Sequence, residues 1–395
     1  MKRTFQRKAK NMKRYDLKYR KDIVIVIDPG HGGSGENADD GACYDGITER
    51  NINMATAEAM YQELSSYEGV QVYLTHDSED ARMSLRERAE FAKSVNADYL
   101  LSLHYNASDE HIFYGSEVWI PSSGTEYAKG YQLGHVFLEE FKQMGLINRG
   151  IKTKVNESGS DYYGIIRECK SLGITGIIVE HCYLDEKKDA TYRDEEADYI
   201  KFGIADATSV AKFLGLKKPE AGIDYSSYVN IEVPVPENVV YQDLTPPDQC
   251  VVQLYEIPTK PGTIDLIVRA NDENSSLVYY SYSLDGGLTF SELFPWAESG
   301  EKNVMHISIS GINSSDVELI MRVYNEYNLV TSSGILAISG IPEQNVKAQS
   351  LDSSHQAVFG GKNLKAIEPF VAFALVALFL LTMVVIKKVY GKTLS

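Results

Sequence analysis

Cysteine is scarce in this chain of 395 residues: there are four cysteines, and no two of them form a C-x-x-C pair. The missing pairs exclude a zinc ribbon and a thioredoxin-like redox motif. Four scattered cysteines also fall short of the disulfide density of small secreted scaffolds. Cys182 lies in an apolar stretch and is interpreted as a small buried hydrophobic residue. The fold is therefore not expected to depend on disulfide bonds.

The chain lacks the excess of positive charge that nucleic-acid-binding proteins carry. Its formal net charge is −16 at pH 7, which argues against nucleic acid as a partner. Residues 1–22 are the exception, because ten Lys and Arg stand there against only Asp16 and Asp22. This basic arm is expected to be a disordered extension, or to contact anionic lipid or a wall polymer.

The basic arm also lacks an apolar stretch, so as written it is not a secretory signal peptide. Residues 369–386 form a long run that is uncharged and almost wholly apolar, and Lys387 and Lys388 come directly after it. At ~1.5 Å per residue this run is about 27 Å long, close to the thickness of the hydrocarbon core of a bilayer. We predict a single membrane-spanning helix, with the basic tail in the cytoplasm and the rest of the chain outside. The export route stays open, since either the start lies upstream of Met1 or the C-terminal segment directs export.

A chain of this length is expected to contain two folded units with additional segments. Changes in composition and pattern divide it into successive parts. These are a basic arm (1–22), an α/β domain (23–217), a linker (218–247), a β-sandwich (248–340), a stalk (341–368), the membrane helix (369–386) and a short basic tail (387–395).

Residues 23–216 alternate between apolar strands and amphipathic helices. The predicted strands include 23–27, 70–75, 99–107 and 176–184, and the segments between them carry apolar residues at helical spacing. This alternation is typical of right-handed βαβ units. The predicted fold class is therefore α/β, with a mostly parallel central sheet and flanking helices.

Three of these strands end in a residue that can bind a metal or carry a proton. His31 follows the first strand in a glycine-rich loop, His104 lies at the end of a later strand, and Glu180 lies at the end of the last. The carboxyl ends of parallel strands meet at one edge of a sheet, so the two histidines can converge. A buried Glu180 is costly unless it is paired or bound. Glu49 lies in the first turn of a predicted helix, where the helix dipole favours a carboxylate whatever its function.

Four motifs carry a resemblance to a known family. They are Asp28-Pro29-Gly30-His31-Gly32-Gly33, Thr48-Glu49, Ser102-Leu103-His104-Tyr105-Asn106-Ala107 and Val179-Glu180. In this order and at these separations, they resemble the zinc-dependent N-acetylmuramoyl-L-alanine amidases over about residues 23–216. The resemblance implies an α/β fold, one Zn²⁺ ion held by His31, Glu49 and His104, and Glu180 as the catalytic acid and base.

The implied ligand set agrees with zinc chemistry. Two imidazoles and one carboxylate leave a fourth zinc position open for water, and zinc lowers the pKa of such a water to about 7. Glu180 would take the proton of this water and later pass it to the departing amine. Asp28 or Asn106 would orient the ligands or contact the substrate.

From residue 249 to about 340 the pattern changes to short, evenly spaced strands with turn signals and no helices. This pattern predicts a β-sandwich of the immunoglobulin or fibronectin type III kind. Several of its aromatic side chains are able to stack on sugars, although core packing is expected to use most of them. They are Tyr279, Tyr280, Tyr282 and Trp296.

Taken together, the sequence predicts a membrane-anchored, extracytoplasmic hydrolase whose partner is peptidoglycan. It would cleave the amide between N-acetylmuramic acid and L-alanine, as an autolysin does. Two alternatives stay open. One is a non-catalytic wall-binding module that keeps the metal site, and the other is a zinc peptidase that cuts within stem peptides.

Overall fold

The alternating strands and helices of residues 23–216 form an α/β domain in the computed structural model, which describes residues 22–343. In chain order its elements are β1 (Ile23–Pro29), β2 (Cys43–Tyr44), β3 (Ile47–Thr48), α1 (Glu49–Leu64), β4 (Val70–Leu74), α2 (Leu85–Ser94), β5 (Tyr99–Asn106), β6 (Ser116–Trp119), α3 (Gly124–Met144), β7 (Asn148–Lys152), α4 (Gly164–Ser171), β8 (Thr175–Tyr183) and α5 (Glu196–Leu214).

The central sheet has the strand order β4-β1-β5-β8-β6-β7. Strand β1 is parallel to β4 and to β5, and β5 is parallel to β8. Strand β6 is antiparallel to β8 and parallel to β7. The sheet is therefore mixed, and the predicted parallel pairs with flanking helices make up most of it. A parallel pair needs a crossover connection of a dozen or more residues, and the short segment between β5 and β6 contains no helix.

Both faces of the central sheet are covered, which explains why its strands are uninterrupted apolar runs. On one face Ile25 and Ile27 of β1 join a core that includes residues of α1, α3 and α5. On the other face Val24 and Val26 join a second core with residues of α2 and α4. Because side chains alternate along a strand, each strand contributes to both cores.

The structure departs from the predicted elements of this domain at three points. The sequence pattern predicts a connection from Asn148 towards Ile166 and a helix from Gly130 to Gly145. In the structure, residues 148–152 form β7 and residues 164–171 form α4. Helix α3 begins at Gly124. Gly130 is a packing position inside this helix, since a Cβ there would come within 3.1 Å of Ile120. A glycine that resembles a helix boundary in the sequence is thus a point of close contact with the sheet.

The predicted β-rich region follows the α/β domain. Its elements, with the short hairpin that precedes it, are β9 (Lys217–Lys218), β10 (Ile223–Asp224), β11 (Gln249–Leu254), β12 (Ile264–Asn271), β13 (Leu277–Ser283), β14 (Phe294–Pro295), β15 (Val304–Ile309), β16 (Asp316–Asn325), β17 (Val330–Ser332) and β18 (Leu336–Ser339). One sheet has the order β11-β12-β15, and the other has the order β14-β13-β16-β17, with β18 also paired to β16. One hydrophobic core contains residues of both sheets, among them Leu266, Val268 and Leu319.

The β-rich region packs directly on the α/β domain through a buried arginine. Arg149 of β7 is 1% exposed, and its Nε donates to Glu117 Oε2 at 2.9 Å. Its Nη1 donates to the hydroxyl of Tyr279 at 2.8 Å, and its Nη2 donates to Asn328 Oδ1 at 2.7 Å. A buried guanidinium is costly unless its donors are paired. The β-rich region therefore supplies hydrogen-bond partners to a charge of the α/β domain.

Among residues 22–343, no helix is long and apolar enough to cross a bilayer. The predicted membrane helix at 369–386, the tail at 387–395 and residues 1–21 lie outside the described residues. Membrane anchoring therefore stays a prediction.

We predict that Arg149→Ala lowers the free energy of unfolding by roughly 3–5 kcal/mol, because it leaves the buried Glu117 with one cationic partner fewer. The shift of the urea midpoint, followed by tryptophan fluorescence, measures this loss. The matched control is Arg86→Ala, which removes an arginine from the exposed pairs with Glu90 and Glu168 and should leave the midpoint nearly unchanged. Equal midpoints for the two variants would contradict a structural role for the buried arginine.

Candidate active site

The loop after β1 places His31 through a backbone turn that few residues adopt. His31 has a φ of 64°, and Gly32 and Gly33 have φ values of 121° and 107°. Left-handed backbone carries a steric cost for residues with a Cβ and almost none for glycine. The turn reverses the chain so that Gly32 and Asp39 exchange two backbone hydrogen bonds of 3.0 and 3.1 Å. Asp39 is thereby held beside the imidazole of His31.

Three side chains from separate elements meet at this edge of the sheet. His31, Glu49 and His104 each offer one ligand atom, and these atoms lie within 4.8 Å of one another. Nε2 of His31 is 3.1 Å from Glu49 Oε2, and Nδ1 of His104 is 2.9 Å from Glu49 Oε1. A tetrahedral ion with bonds of about 2.1 Å holds its ligand atoms about 3.3 Å apart. The spacing of these donors therefore suits a metal ion with two nitrogen ligands and one oxygen ligand.

The carboxylate of Glu49 is buried and fully engaged. Glu49 is the first residue of helix α1, and its side chain is 5% exposed. The backbone N–H of Ala42 donates to Oε2 at 2.8 Å, and the N–H of Tyr105 donates to Oε1 at 3.2 Å. Burial alone raises the pKa of Glu49, but the hydrogen bonds from His104 and His31 outweigh it and hold the pKa far below its usual range. Glu49 is therefore an ionised carboxylate, which is the form that a metal ligand needs.

The second ring nitrogen of His31, Nδ1, contacts another carboxylate, that of Asp39. Nδ1 of His31 lies 2.8 Å from Asp39 Oδ1. Burial lowers the pKa of His31, but hydrogen bonding and attraction to Glu49 and Asp39 outweigh it and raise the pKa to about 9. A carboxylate on the far nitrogen orients a metal-binding imidazole and increases its basicity.

A chain of hydrogen bonds leads from His104 to the predicted residue Asp28. Nε2 of His104 is 3.2 Å from Ser102 Oγ, which donates to Asp28 Oδ2 at 2.7 Å. Oδ1 of Asp28 accepts from Thr75 Oγ1 and from Arg88 Nη1, both at 2.7 Å. Asp28 therefore acts on His104 through Ser102, and this arrangement leaves Nδ1 of His104 free to face Glu49.

Two glycines leave room for these side chains. A Cβ on Gly30 would overlap the ring of His104, and a Cβ on Gly41 would overlap both Glu49 and the ring of His31. Gly30 has no positive φ, so the space that it leaves is the reason for glycine there. The donor set and the cleared space together fit a bound metal ion.

Glu180 lies beside this group on the same face of the sheet. It is the register partner of His104 in the parallel pair β5–β8, and paired residues project to the same side. Its Oε2 is buried and has no hydrogen-bond partner in the described part of the chain. Burial, followed by the negative charges of Glu49 and Glu117, raises the pKa of Glu180 well above its usual range. The neighbouring His181 points to the opposite face, as expected, where Nε2 lies 2.9 Å from Asp206 Oδ2.

Comparison with known proteins identifies the family. A family model described as N-acetylmuramoyl-L-alanine amidase matches residues 25–212. Over 203 residues the chain is 30% identical to the N-acetylmuramoyl-L-alanine amidase CwlM of Bacillus licheniformis. The aligned residues make up 51% of this chain and 72% of that protein. The chain belongs to the N-acetylmuramoyl-L-alanine amidase family. The expectation of an amidase, made from the four motifs, is confirmed.

Other similar proteins cover a similar share of the chain. The endolysin of Bacillus phage SPP1 is 25% identical over 201 residues, which is 50% of this chain and 69% of that protein. Among solved structures, the catalytic domain of CwlV, an N-acetylmuramoyl-L-alanine amidase from Bacillus (Paenibacillus) polymyxa var. colistinus, is 24% identical. The superposition covers 49% of this chain and 99% of the CwlV domain, with a TM-score of 0.42.

Asn106 of this amidase contacts a further carboxylate, that of Glu117. Nδ2 of Asn106 donates to Glu117 Oε1 at 3.0 Å. Glu117 is a residue that the sequence did not single out, and it is the register partner of Glu180 in the antiparallel pair β6–β8. Burial raises the pKa of Glu117, but the charges of Lys152 and Arg149 outweigh it and lower the pKa to about 2. A permanently ionised carboxylate therefore lies next to Glu180.

We predict that Gly30→Ala weakens metal binding by roughly 10–100-fold, because the added methyl group displaces the ring of His104. Calorimetric titration of the metal-free amidase with Zn²⁺ measures the affinity, and a melting curve checks the fold. The control is Gly334→Ala, where a Cβ meets nothing within 4 Å and φ is not positive. Unchanged affinity in Gly30→Ala would show that His104 does not need this space to bind metal.

Proposed function

We propose that this amidase is zinc-dependent and hydrolyses the amide between the lactyl group of N-acetylmuramic acid and L-alanine in peptidoglycan. The observation that carries the proposal is the meeting of His31, Glu49 and His104 beside Glu180, on one face and at one edge of the sheet. His31, Glu49 and His104 would hold the ion. Zinc with three protein ligands supplies a water of lowered pKa and polarises the scissile carbonyl.

Glu180 would move the protons of the reaction. A general base must lie near the proton that it takes, and its pKa must lie close to the working pH. Burial raises the pKa of Glu180 well above its usual range, and its Oε2 forms no hydrogen bond within the described part of the chain. Glu180 would therefore accept a proton during attack on the carbonyl and donate it to the departing nitrogen of L-alanine.

Asp39, Ser102 and Asp28 would act as positioning residues. Asp39 fixes His31, and Ser102 with Asp28 fixes His104, by the hydrogen bonds described above. Each imidazole is thus held by a hydrogen bond at the ring nitrogen that points away from the ion. This contact fixes which of the two ring nitrogens faces the ion. Asn106 would contribute through Glu117 rather than through the metal.

We also propose that the amidase is held at the cell membrane by residues 369–386, in a single pass, with its catalytic domain on the outer side. The support is the length of this apolar run and the lysines that follow it. Peptidoglycan lies on that side of the membrane, so the location agrees with the proposed substrate.

Replacement of Glu180 and of His104 should separate turnover from metal binding. Glu180→Gln should bind one equivalent of zinc and lose about 10²–10⁴-fold in rate, because the amide cannot accept the proton. His104→Ala should lose both zinc and activity, because it removes a ligand. Metal content is measured by atomic absorption, and activity by the free L-alanine amino termini released from peptidoglycan.

The control for these variants is His306→Ala, which removes a histidine of β15 in the β-rich region. Retained activity in Glu180→Gln would refute its role as the base. Product masses distinguish the remaining alternatives, because an amidase leaves whole stem peptides and a peptidase leaves fragments. Stoichiometric zinc without any product would favour a wall-binding module.

Zinc affinity should depend on pH through His31. Its pKa in the metal-free protein is raised to about 9, so below that pH the ion must displace a proton. Affinity should therefore rise from neutral pH up to about pH 9 and then level off. Asp39→Asn removes one of the charges that raise this pKa and should move the plateau to lower pH. Calorimetry in buffers of different ionisation enthalpy counts the proton released, and a flat profile would contradict the assignment.

A further inference from the structure

Tyr327 of the β-rich region reaches the α/β domain beside the candidate active site. It lies in the turn between β16 and β17, and its hydroxyl oxygen is 3.3 Å from both the N and the O of Thr153. These two contacts fix the ring against the end of β7. The β-rich region thus places an aromatic side chain on the α/β domain at a defined position.

The ring of Tyr327 continues a series of aromatic rings. Its centroid is 6.2 Å from that of Trp119, which is 5.0 Å from that of Tyr163, which in turn is 5.3 Å from that of Tyr162. We call these four residues the aromatic wall. Tyr162 is 50% exposed and the other three are partly exposed. Each ring therefore offers part of its surface to a ligand, and neighbouring rings are tilted against one another by 54°, 67° and 89°.

The middle of the aromatic wall lies next to Glu180. Trp119 is two residues from Glu117 on β6, so the two side chains share a face, and Nε1 of Trp119 donates to Glu117 Oε1 at 3.0 Å. Glu117 is the register partner of Glu180. The charges of Glu180 and Glu117 contribute, after burial, to a raised pKa of Tyr163, which agrees with their proximity.

Two lysine side chains lie against rings of the aromatic wall. Nζ of Lys152 lies 5.4 Å from the ring centroid of Trp119 and 5.6 Å from that of Tyr327, and Nζ of Lys154 lies 4.0 Å from that of Tyr162. Lys152 is buried and paired with Glu117, so it is the partly exposed Lys154 that adds a polar group to the rings. A pyranose ring has the matching character, since its C–H face is apolar and its hydroxyl edge forms hydrogen bonds.

We propose that the aromatic wall binds a sugar ring of the glycan strand, and that the β-rich region completes this substrate-binding face by contributing Tyr327. This inference rests on the proposed function, in which the scissile amide is attached to a sugar. Trp119 and Tyr163 form the middle of the series, and Tyr327 and Tyr162 lie at its two ends, as on a binding face for a polymer of sugar rings.

The two tryptophans of the chain permit a direct binding test. Trp119 belongs to the aromatic wall, whereas Trp296 packs against the core of the β-rich region. In Trp296→Phe the fluorescence reports on Trp119 alone. Titration with the N-acetylglucosamine tetramer should give a saturable change, and Tyr327→Ala in the same background should weaken the apparent affinity about fivefold. A stem tripeptide without sugar should cause no change.

Kinetics on peptidoglycan test the same face in the full chain. Tyr327→Ala should raise KM about fivefold with kcat little changed, since it removes binding and not chemistry. Tyr327→Phe keeps the ring but loses both contacts with Thr153, so its KM should lie between that of the parent and that of Tyr327→Ala. The control is Tyr255→Ala, an exposed tyrosine on the other sheet of the β-rich region.

The outcomes separate this inference from the proposed function. An unchanged KM in Tyr327→Ala would overturn the contribution of the β-rich region. A fluorescence response to the tripeptide and none to the sugar would overturn the sugar assignment. If the parent releases no L-alanine amino termini, the proposed function fails, while the fluorescence titration still decides whether the wall binds sugar.

Discussion

The candidate active site depends on one buried carboxylate, that of Glu49. An ionised carboxylate out of water costs several kcal/mol unless it is paired and hydrogen-bonded. Here two imidazoles and two backbone N–H groups satisfy it. These groups come from the loop after β1, from the loop before α1 and from the end of β5. The carboxylate can be satisfied only if all three segments meet at the start of α1, and Gly30 and Gly41 provide the space in which they do so.

A second buried carboxylate, Glu117, joins this site to the β-rich region. Arg149 and Lys152 both pair with it. Lys152 lowers the pKa of Glu180, while Glu49 and Glu117 raise it. These opposing influences suit a residue that must both accept and donate a proton in one reaction cycle.

The sequence predicts the parts of this arrangement that are local along the chain. Apolar runs mark β1, β5 and β8, and the polar residue at the end of each run is conspicuous. Asp39 and Glu117 carry no such signal, because each becomes important only through a partner from another element. Arg149 lies between Asn148 and Gly150, a pattern typical of a loop. Its partner Tyr279 is 130 residues further along the chain. Composition located the change to a β-rich region but not the contact between the two regions.

That contact bears on what the β-rich region does. Regions that only set a distance are usually joined by mobile linkers and small polar interfaces. In this protein the connecting segment is itself bound to the α/β domain, since Val240 N donates to Ser122 O and Val155 N donates to Gln242 Oε1, both at 2.8 Å. The buried arginine then shares its donors between both regions. A spacer would not need to stabilise a charge next to Glu180, and this contact therefore supports the proposal that the β-rich region contributes to the candidate active site.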